Sequence, residues 1–494
     1  MKAHLKKLTS ESIVYGFGAA LSRGMQMLLV PVFTRVFAPD AYGVVDLLGL
    51  VGALSSLLVV MGTDAALARF FYEAADAEAR RTMVSTSAVW RAGVCLAAAA
   101  ALALAAPLLS TFVFGSPDYA KYVRVTALTV PFTAFFLFQN DVLRVTFQPW
   151  KFILLNVVNT ALVGGFSILF VVVWKTGVIG VLYGKLVGDA ITVTLGFVLV
   201  RHQLRRRFDR TLLVRMLAYG APLLPVAAAY GALQYADRWT LSRFAGLEAV
   251  GVYAVAAKIG AALTLAVTAF QMAWGPFAFA RAREEAAPRL FARVLTLFVA
   301  VASGLALLFG LIAPEVLAVV VPPVYRSAAF PGALLCFAAV AYGAFYIAAL
   351  GANLALRNDL VAWTSLIAAA VAVGLDLALV RPLGSLGVAI GTTGGYALST
   401  VLLYALAQRV HPLPFRGLRA LMLFLGGLGS LAAARVLAPG AWEAGAAGGA
   451  IPVSTLAVRA VILFVFVAFA AFLARRIPAP VDPRTAAVPA GGGA

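Results

Sequence analysis

IVYGFGAALSRGMQMLLVPVFTRVFAPDAYGVVDLLGLVGALSSLLVVMG, residues Ile13 to Gly62, is two apolar runs joined by the short connection TRVFAPDAYG. Each run has roughly the twenty residues a helix needs to cross about 30 Å of hydrocarbon. One charge, Arg23, interrupts the first run, about 15 Å past Ile13 at the helical rise per residue. A charge at that depth costs about 2.5–3.5 kcal/mol on insertion scales, so it should face protein or water rather than lipid. The hairpin is also written twice. Setting Thr34 against Ser242 without gaps pairs Arg35 with Arg243, Asp40 with Glu248, Gly43 with Gly251 and Gly52 with Gly260, an offset of 208.

The repeat extends through the chain. GVIGVLYGKLVGDA from Gly177 matches GSLGVAIGTTGGYA from Gly384 at Gly177, Gly180, Gly184 and Gly188, with an offset of 207. Between them, Asn140, Leu143, Arg144 and Trp150 find Asn353, Leu356, Arg357 and Trp363 at an offset of 213. The composition agrees with a membrane protein: 63% of the 494 residues are hydrophobic and 12% are charged, against about 45–50% and 25% in soluble domains. The net charge of +19 then reads as excess Lys and Arg in cytoplasmic loops, not as a nucleic-acid surface. Cys95 and Cys336 each sit in an apolar run, which gives neither a disulfide framework nor metal spacing. The start, MKAHLKKLTSES, resembles a secretory signal, but Arg23 and the lack of a small-residue cleavage site favour a first span.

Apolar windows predict an all-α integral membrane protein of about fourteen spans: 13–33, 42–63, 82–113, 121–146, 152–174, 177–200, 214–236, 249–272, 292–320, 328–350, 359–380, 384–408, 419–437 and 455–475. With both termini inside, 25 of the 39 Lys and Arg fall in cytoplasmic segments and 9 outside, the asymmetry that orients membrane proteins. The expected organisation is a six-helix bundle over 1–200, a basic linker over 201–213, a second six-helix bundle over 214–410, two further helices within 411–476 and a disordered tail over 477–494. Six spans per unit send both copies into the membrane from the same side, a parallel repeat whose binding site lies between the halves. The linker RHQLRRRFDRTLLVRM reads as an orientation signal and a contact for anionic lipid headgroups, or as a dock for a cytoplasmic partner.

Few residues remain to carry chemistry. His4, His202 and His411 all fall in predicted cytoplasmic segments, and no carboxylate pair, nucleophile set, phosphate loop or metal-spaced cluster stands out. The charges within spans are the candidates. Arg23 and Lys258 lie near mid-depth in spans one and eight, where each either lines a cavity or is neutralised by a partner. Lys185 and Asp189 are four apart and share a helix face, so they either neutralise each other or bind substrate. Their repeat positions are Thr392 and Tyr396, and that of Lys258 is Leu50, so the scaffold is built once without these charges. Arg91 either binds substrate or snorkels, and Arg459 is expected to snorkel. Asp46 and Asp376 either bind a coupling ion or meet water, while Asp141 with Arg144 and Asp237 with Arg238 read as interface residues. Arg23, Lys185 and Lys258 against Asp189 make a basic lumen, suited to a phosphate or diphosphate headgroup.

Two stretches carry a family resemblance. LVPVFTRVFAPDAYGVVDL, with Pro31, Thr34, Arg35, Pro39, Tyr42 and Gly43, resembles the first hairpin of the polysaccharide transport (Wzx-type) flippases. YGAPLLPVAAAYGALQYADRWTLSRFAGLEAVGVYAVAAKIG, with Tyr219, Gly220, Pro222, Pro225, Asp237, Arg238, Gly251, Tyr253 and Lys258, resembles the start of their second half. The resemblance implies the two-bundle fold shared with multidrug (MATE-type) exporters and the lipid II flippase MurJ. It also implies a bacterial cytoplasmic-membrane flippase that moves undecaprenyl-diphosphate-linked oligosaccharide outward by alternating access. Arg23 occupies a place similar to a cavity-lining first-helix arginine of MurJ, and fourteen spans are similar to MurJ more than to twelve-span Wzx proteins. Membrane lipids, and a polymerase and glycosyltransferases of surface polysaccharide assembly, are the implied partners; no cofactor and no nucleic acid are expected. The alternatives are a proton- or sodium-coupled MATE-type exporter, which predicts a carboxylate-rich lumen, and a membrane polymerase or ligase, which predicts a large external loop.

Overall fold

Glycines at repeat-related positions set how closely the helices approach. The computed structural model describes residues 18, 21–221, 224–282, 284–442 and 452–475. The start of the first expected span, Pro222, Arg283, most of the last external loop and the expected disordered tail lie outside the described residues. The first half consists of α1 (Leu29–Val36, with residues 21–27 helical just before it), α2 (Pro39–Val60), α3 (Thr63–Glu73), α4 (Ala77–Leu104), α5 (Ala106–Phe114), α6 (Ala120–Val145), α7 (Pro149–Ile168) and α8 (Val178–Val200). After the linker come α9 (Arg210–Gly220), α10 (Leu224–Phe244), α11 (Leu247–Arg281), α12 (Ala287–Val320), α13 (Ala329–Ala348), α14 (Leu350–Leu354), α15 (Asn358–Leu383) and α16 (Ser385–Val410). The chain's last described helices are α17 (Gly417–Leu437) and α18 (Val453–Arg475). Pro39 at the start of α2 and the Asp76 carboxylate accepting from the Ala79 amide at 2.7 Å show why helices begin where they do.

Twelve helical segments among the described residues are long and apolar enough to cross a membrane, and no strand interrupts them. Fourteen spans were expected. The first is described only from residue 21 onward and at residue 18, and the seventh is found as α10, helical but polar, with Asp237, Arg238 and Arg243. The α7–α8 and α15–α16 pairs are tightly packed. A Cβ on Gly184 would collide with the Ser167 backbone, so only a hydrogen fits there, and one on its repeat partner Gly391 would displace the Asp376 carboxylate. Between the halves, α2 and α11 cross in the same manner. A Cβ on Gly43 would meet the Leu247 carbonyl, and one on its repeat partner Gly251 the Pro39 carbonyl.

The linker docks onto the first half. The Arg205 amide donates to Ser85 Oγ at 2.6 Å and the Asp209 amide to Thr86 Oγ1 at 3.1 Å. Helix α9 continues this attachment by packing on α3 and α4, and Arg215 lies 4.7 Å over the Phe70 ring. The start of the expected seventh span is therefore a separate helix seated on the first half. At the far end of the chain, α17 and α18 pack on α12. Arg459 was expected to snorkel; instead it is buried and paired with Glu315 of α12, while also donating to the Leu311 carbonyl. Its partner lies 144 positions away, out of reach of any local reading, and a carboxylate inside the protein holds a guanidinium better than a distant headgroup layer.

Candidate functional site

A cavity of about 570 Å3 joins the first helix to the interior of the second half. Arg23, Gln26 and Met27 enter it from the segment before α1, Asp237 and Arg238 from α10, and Tyr253, Lys258, Thr264 and Thr268 from α11. Leu335 and Tyr342 of α13 and Thr392 and Tyr396 of α16 complete the wall. It runs along α11 from Tyr253 to Thr268, about 22 Å at the helical rise per residue. The lining is unevenly shared: the first half contributes the segment before α1, and the rest belongs to the second half.

Three cations line this space at different depths. The end of the bundle that carries the α1–α2 and α10–α11 connections is here called the hairpin end. Counting back from it, Arg238 lies about 9 Å deep, Lys258 about 16 Å and Arg23 about 20 Å, again from the rise per residue. Arg23 is exposed to the cavity and Lys258 half-buried, and neither has a hydrogen-bond or ion-pair partner among the described residues. Arg238 is held by carboxylates. Its Nε donates to Asp46 Oδ2 at 3.0 Å, and its Nη1 to Asp237 Oδ2 at 2.9 Å. Tyr253 in turn donates to Asp237 Oδ2 at 2.8 Å and lies 3.4 Å from Thr392 Oγ1. Asp46 therefore carries a counter-charge from the other half. Asp376 does not: it is buried, and its Oδ1 has no partner among the described residues. It stands behind the cavity wall against Gly391, next to the lining residue Thr392.

The other candidates lie elsewhere. Lys185 and Asp189 are paired at 2.6 Å inside the first half, where Asp189 also accepts from Asn159 at 2.8 Å and Thr133 at 3.1 Å. Arg91 is 1% exposed. It donates to Thr63 Oγ1 at 3.1 Å and the Ala134 carbonyl at 3.3 Å, 3.8 Å from Asp141, which also binds Arg144. None of these residues lines the cavity. A guanidinium this deep, wedged between a helix turn and a carboxylate, behaves as structure. Arg91→Met is expected to cost about 3 kcal/mol by leaving Asp141 short of charge. Thermal unfolding in detergent checks it; a melting temperature unchanged from wild type would sink the structural assignment.

Sequence reading singled out Arg23 and Lys258 but not their company. Arg238 was legible only as half of an adjacent Asp–Arg pair, and Tyr342 and Tyr396 carry no local signal in apolar helices. Tyr342 and Tyr396 have ring centroids 5.6 Å apart, and the Tyr342 and Tyr346 hydroxyls are 3.1 Å apart. Such a wall offers both ring faces and hydroxyls to a ligand.

The helices and this cationic cavity define a polytopic membrane protein with the architecture of a transporter. Its fold is that of known transporters. A multidrug resistance MATE family transporter of the MOP superfamily, solved inward-facing, matches with a TM-score of 0.62 and 16% identity, covering 78% of this chain and 94% of that one. The lipid II flippase MurJ in an inward closed conformation matches at 0.69 and 13% identity, covering 94% and 99%. The Vibrio cholerae MATE transporter VcmN matches at 0.57 and 16%, covering 82% and 97%. No curated protein sequence matches the chain at a significant level. A family model described as polysaccharide biosynthesis protein matches residues 8–283. The chain belongs to that family.

Proposed function

We propose that this protein is a flippase that moves undecaprenyl-diphosphate-linked oligosaccharide from the inner to the outer leaflet of the bacterial cytoplasmic membrane, by alternating access, for surface polysaccharide assembly. The observation that carries this reading is the set of cations Arg23, Lys258 and Arg238 in one cavity, two of them without a counter-charge among the described residues. Charge-assisted hydrogen bonds from such groups suit phosphate oxygens. The tyrosines beside them suit a sugar, with hydroxyls for its hydroxyls and ring faces for its C–H groups. The lipid tail stays in the bilayer while the headgroup passes through the protein. Both termini lie inside, and a polymerase and glycosyltransferases act before and after the transfer.

The shared fold also houses multidrug exporters. A site for cationic drugs needs available carboxylates, and here the cavity's one carboxylate, Asp237, is engaged by Arg238 and Tyr253 among the described residues. Asp376, buried with an oxygen that has no partner among the described residues, is the residue we assign to a coupling ion, in preference to Asp46, which Arg238 already neutralises.

With a negative interior, outward movement of an anion is favoured by about 2.3 kcal/mol per charge per 100 mV. In proteoliposomes, a labelled undecaprenyl-diphosphate oligosaccharide is therefore expected to reach the opposite leaflet faster when an inside-negative potassium diffusion potential is imposed. Efflux of a cationic dye with no lipid transfer would replace this reading with the exporter.

A further inference from the structure

The hairpin end of the bundle is closed by bonds that obey the internal repeat. Arg35 of α1 donates to the Val319 carbonyl in the last turn of α12 at 3.3 Å. Its repeat partner Arg243, in α10, donates to the Thr111 carbonyl in α5 at 3.2 Å. Each half thus sets the arginine of its first hairpin on the end of the other half's third span. Ser242 donates to the Val113 carbonyl at 2.7 Å, and Tyr325 to the Phe37 carbonyl at 2.8 Å, so one of the four bonds is donated by the first half and three by the second. None of these four side chains lines the cavity.

Arg238 does both. It lines the cavity as the cation nearest the sealed end, and it bonds across the halves to Asp46 of α2. Its carboxylate partners Asp46 and Asp237 differ in one respect. Asp237 is its neighbour on α10 and moves with it, whereas Asp46 belongs to the other half. We propose that Arg238 couples occupancy of the cavity to opening of the hairpin end: a phosphate group passed from Arg23 and Lys258 takes the guanidinium away from Asp46, and the tie between α10 and α2 is lost.

The linkage follows from charge. One guanidinium already serves two carboxylates, and an incoming dianion adds negative charge next to both. Asp237 cannot leave Arg238, but Asp46 withdraws if α2 separates from α10. The anion therefore binds more tightly to the separated state, and this difference in affinity moves the equilibrium. A neutral polyprenol lacks it and should not open the end. The closing of the seal after the headgroup departs is the same exchange run backwards, with Asp46 reclaiming Arg238. The identity of the phosphate ligand rests on the flippase reading above; the tie itself rests on the ion pair.

The test uses nitroxides on Lys121→Cys and Val324→Cys, exposed positions at the hairpin end of the two halves, in a Cys95→Ala/Cys336→Ala background in proteoliposomes. Undecaprenyl diphosphate is the probe, and undecaprenol the neutral control. In wild-type protein the diphosphate should lengthen the spin–spin distance and undecaprenol should leave it unchanged. Asp46→Asn should populate the long distance with no lipid present, and Asp46→Glu should restore dependence on the diphosphate. Wild-type protein that binds undecaprenyl diphosphate without lengthening overturns the coupling and leaves the flippase reading standing. Failure to bind it overturns both. Asp46→Asn with wild-type distances overturns the tie.

Discussion

Arg23→Ala/Lys258→Ala is expected to lower the initial rate of lipid-linked oligosaccharide transfer at least a hundredfold in proteoliposomes, with the protein still folded. Both side chains face the cavity and neither has a polar partner among the described residues, so removing them strands no buried group. The effect should therefore fall on the ligand. A hydrogen bond to a charged group is worth about 1.5–3 kcal/mol, and losing two at the lower figure costs about 3 kcal/mol, roughly a 150-fold change. The single variants should each lose about tenfold, and their melting temperatures should match wild type. If the two cations bind the diphosphate in the resting state, the loss appears first as a raised half-saturating concentration. If they act only while the headgroup moves, it appears as a lowered maximal rate. Transfer within twofold of wild type in the double variant would remove the cationic cavity as the site.

The contrast between this pair and Arg91 shows where reading a sequence stops. All of them are charges inside apolar runs, and all break the same rule about charge in hydrocarbon. Whether such a charge faces a cavity or a neutralising partner depends on the residues brought beside it by the fold. Arg91 meets Asp141 and Thr63; Arg459 meets Glu315; Lys258 meets open space. The i, i+4 spacing of Lys185 and Asp189 correctly makes them partners, but spacing on one helix says nothing about which side of the bundle that face meets. The repeat was legible for a different reason. It is written in part in glycines, and a glycine required by backbone contact has no substitute, so Gly43 and Gly251 match while the cavity residues Tyr253 and Lys258 stand opposite Val45 and Leu50 in the other half.

Gly251→Leu is expected to abolish transfer and to hold the hairpin end open. A side chain at this position has to occupy the space of the Pro39 carbonyl, and one at Gly43 that of the Leu247 carbonyl. Backbone cannot rotate aside as a side chain does, so α2 and α11 must separate. Forced overpacking costs about 1–3 kcal/mol, and at the upper end this lowers the population of the sealed state roughly 150-fold relative to the separated one. In that state α10, joined to α11 by the short connection after Phe244, carries Arg238 away from Asp46 of α2, so the variant should show the long Lys121–Val324 nitroxide distance with or without diphosphate. Transfer stops because alternation requires return to the sealed state. Gly43→Leu should reproduce both results from the other half. Gly49→Leu supplies the control, since a Cβ at that exposed position on the same helix α2 meets nothing within 4 Å. A Gly251→Leu protein with normal transfer and the short distance would mean that the glycine crossing is dispensable packing. A protein that stays sealed but inactive would mean that the strain is relieved within α11, and that the crossing does not report on the gate.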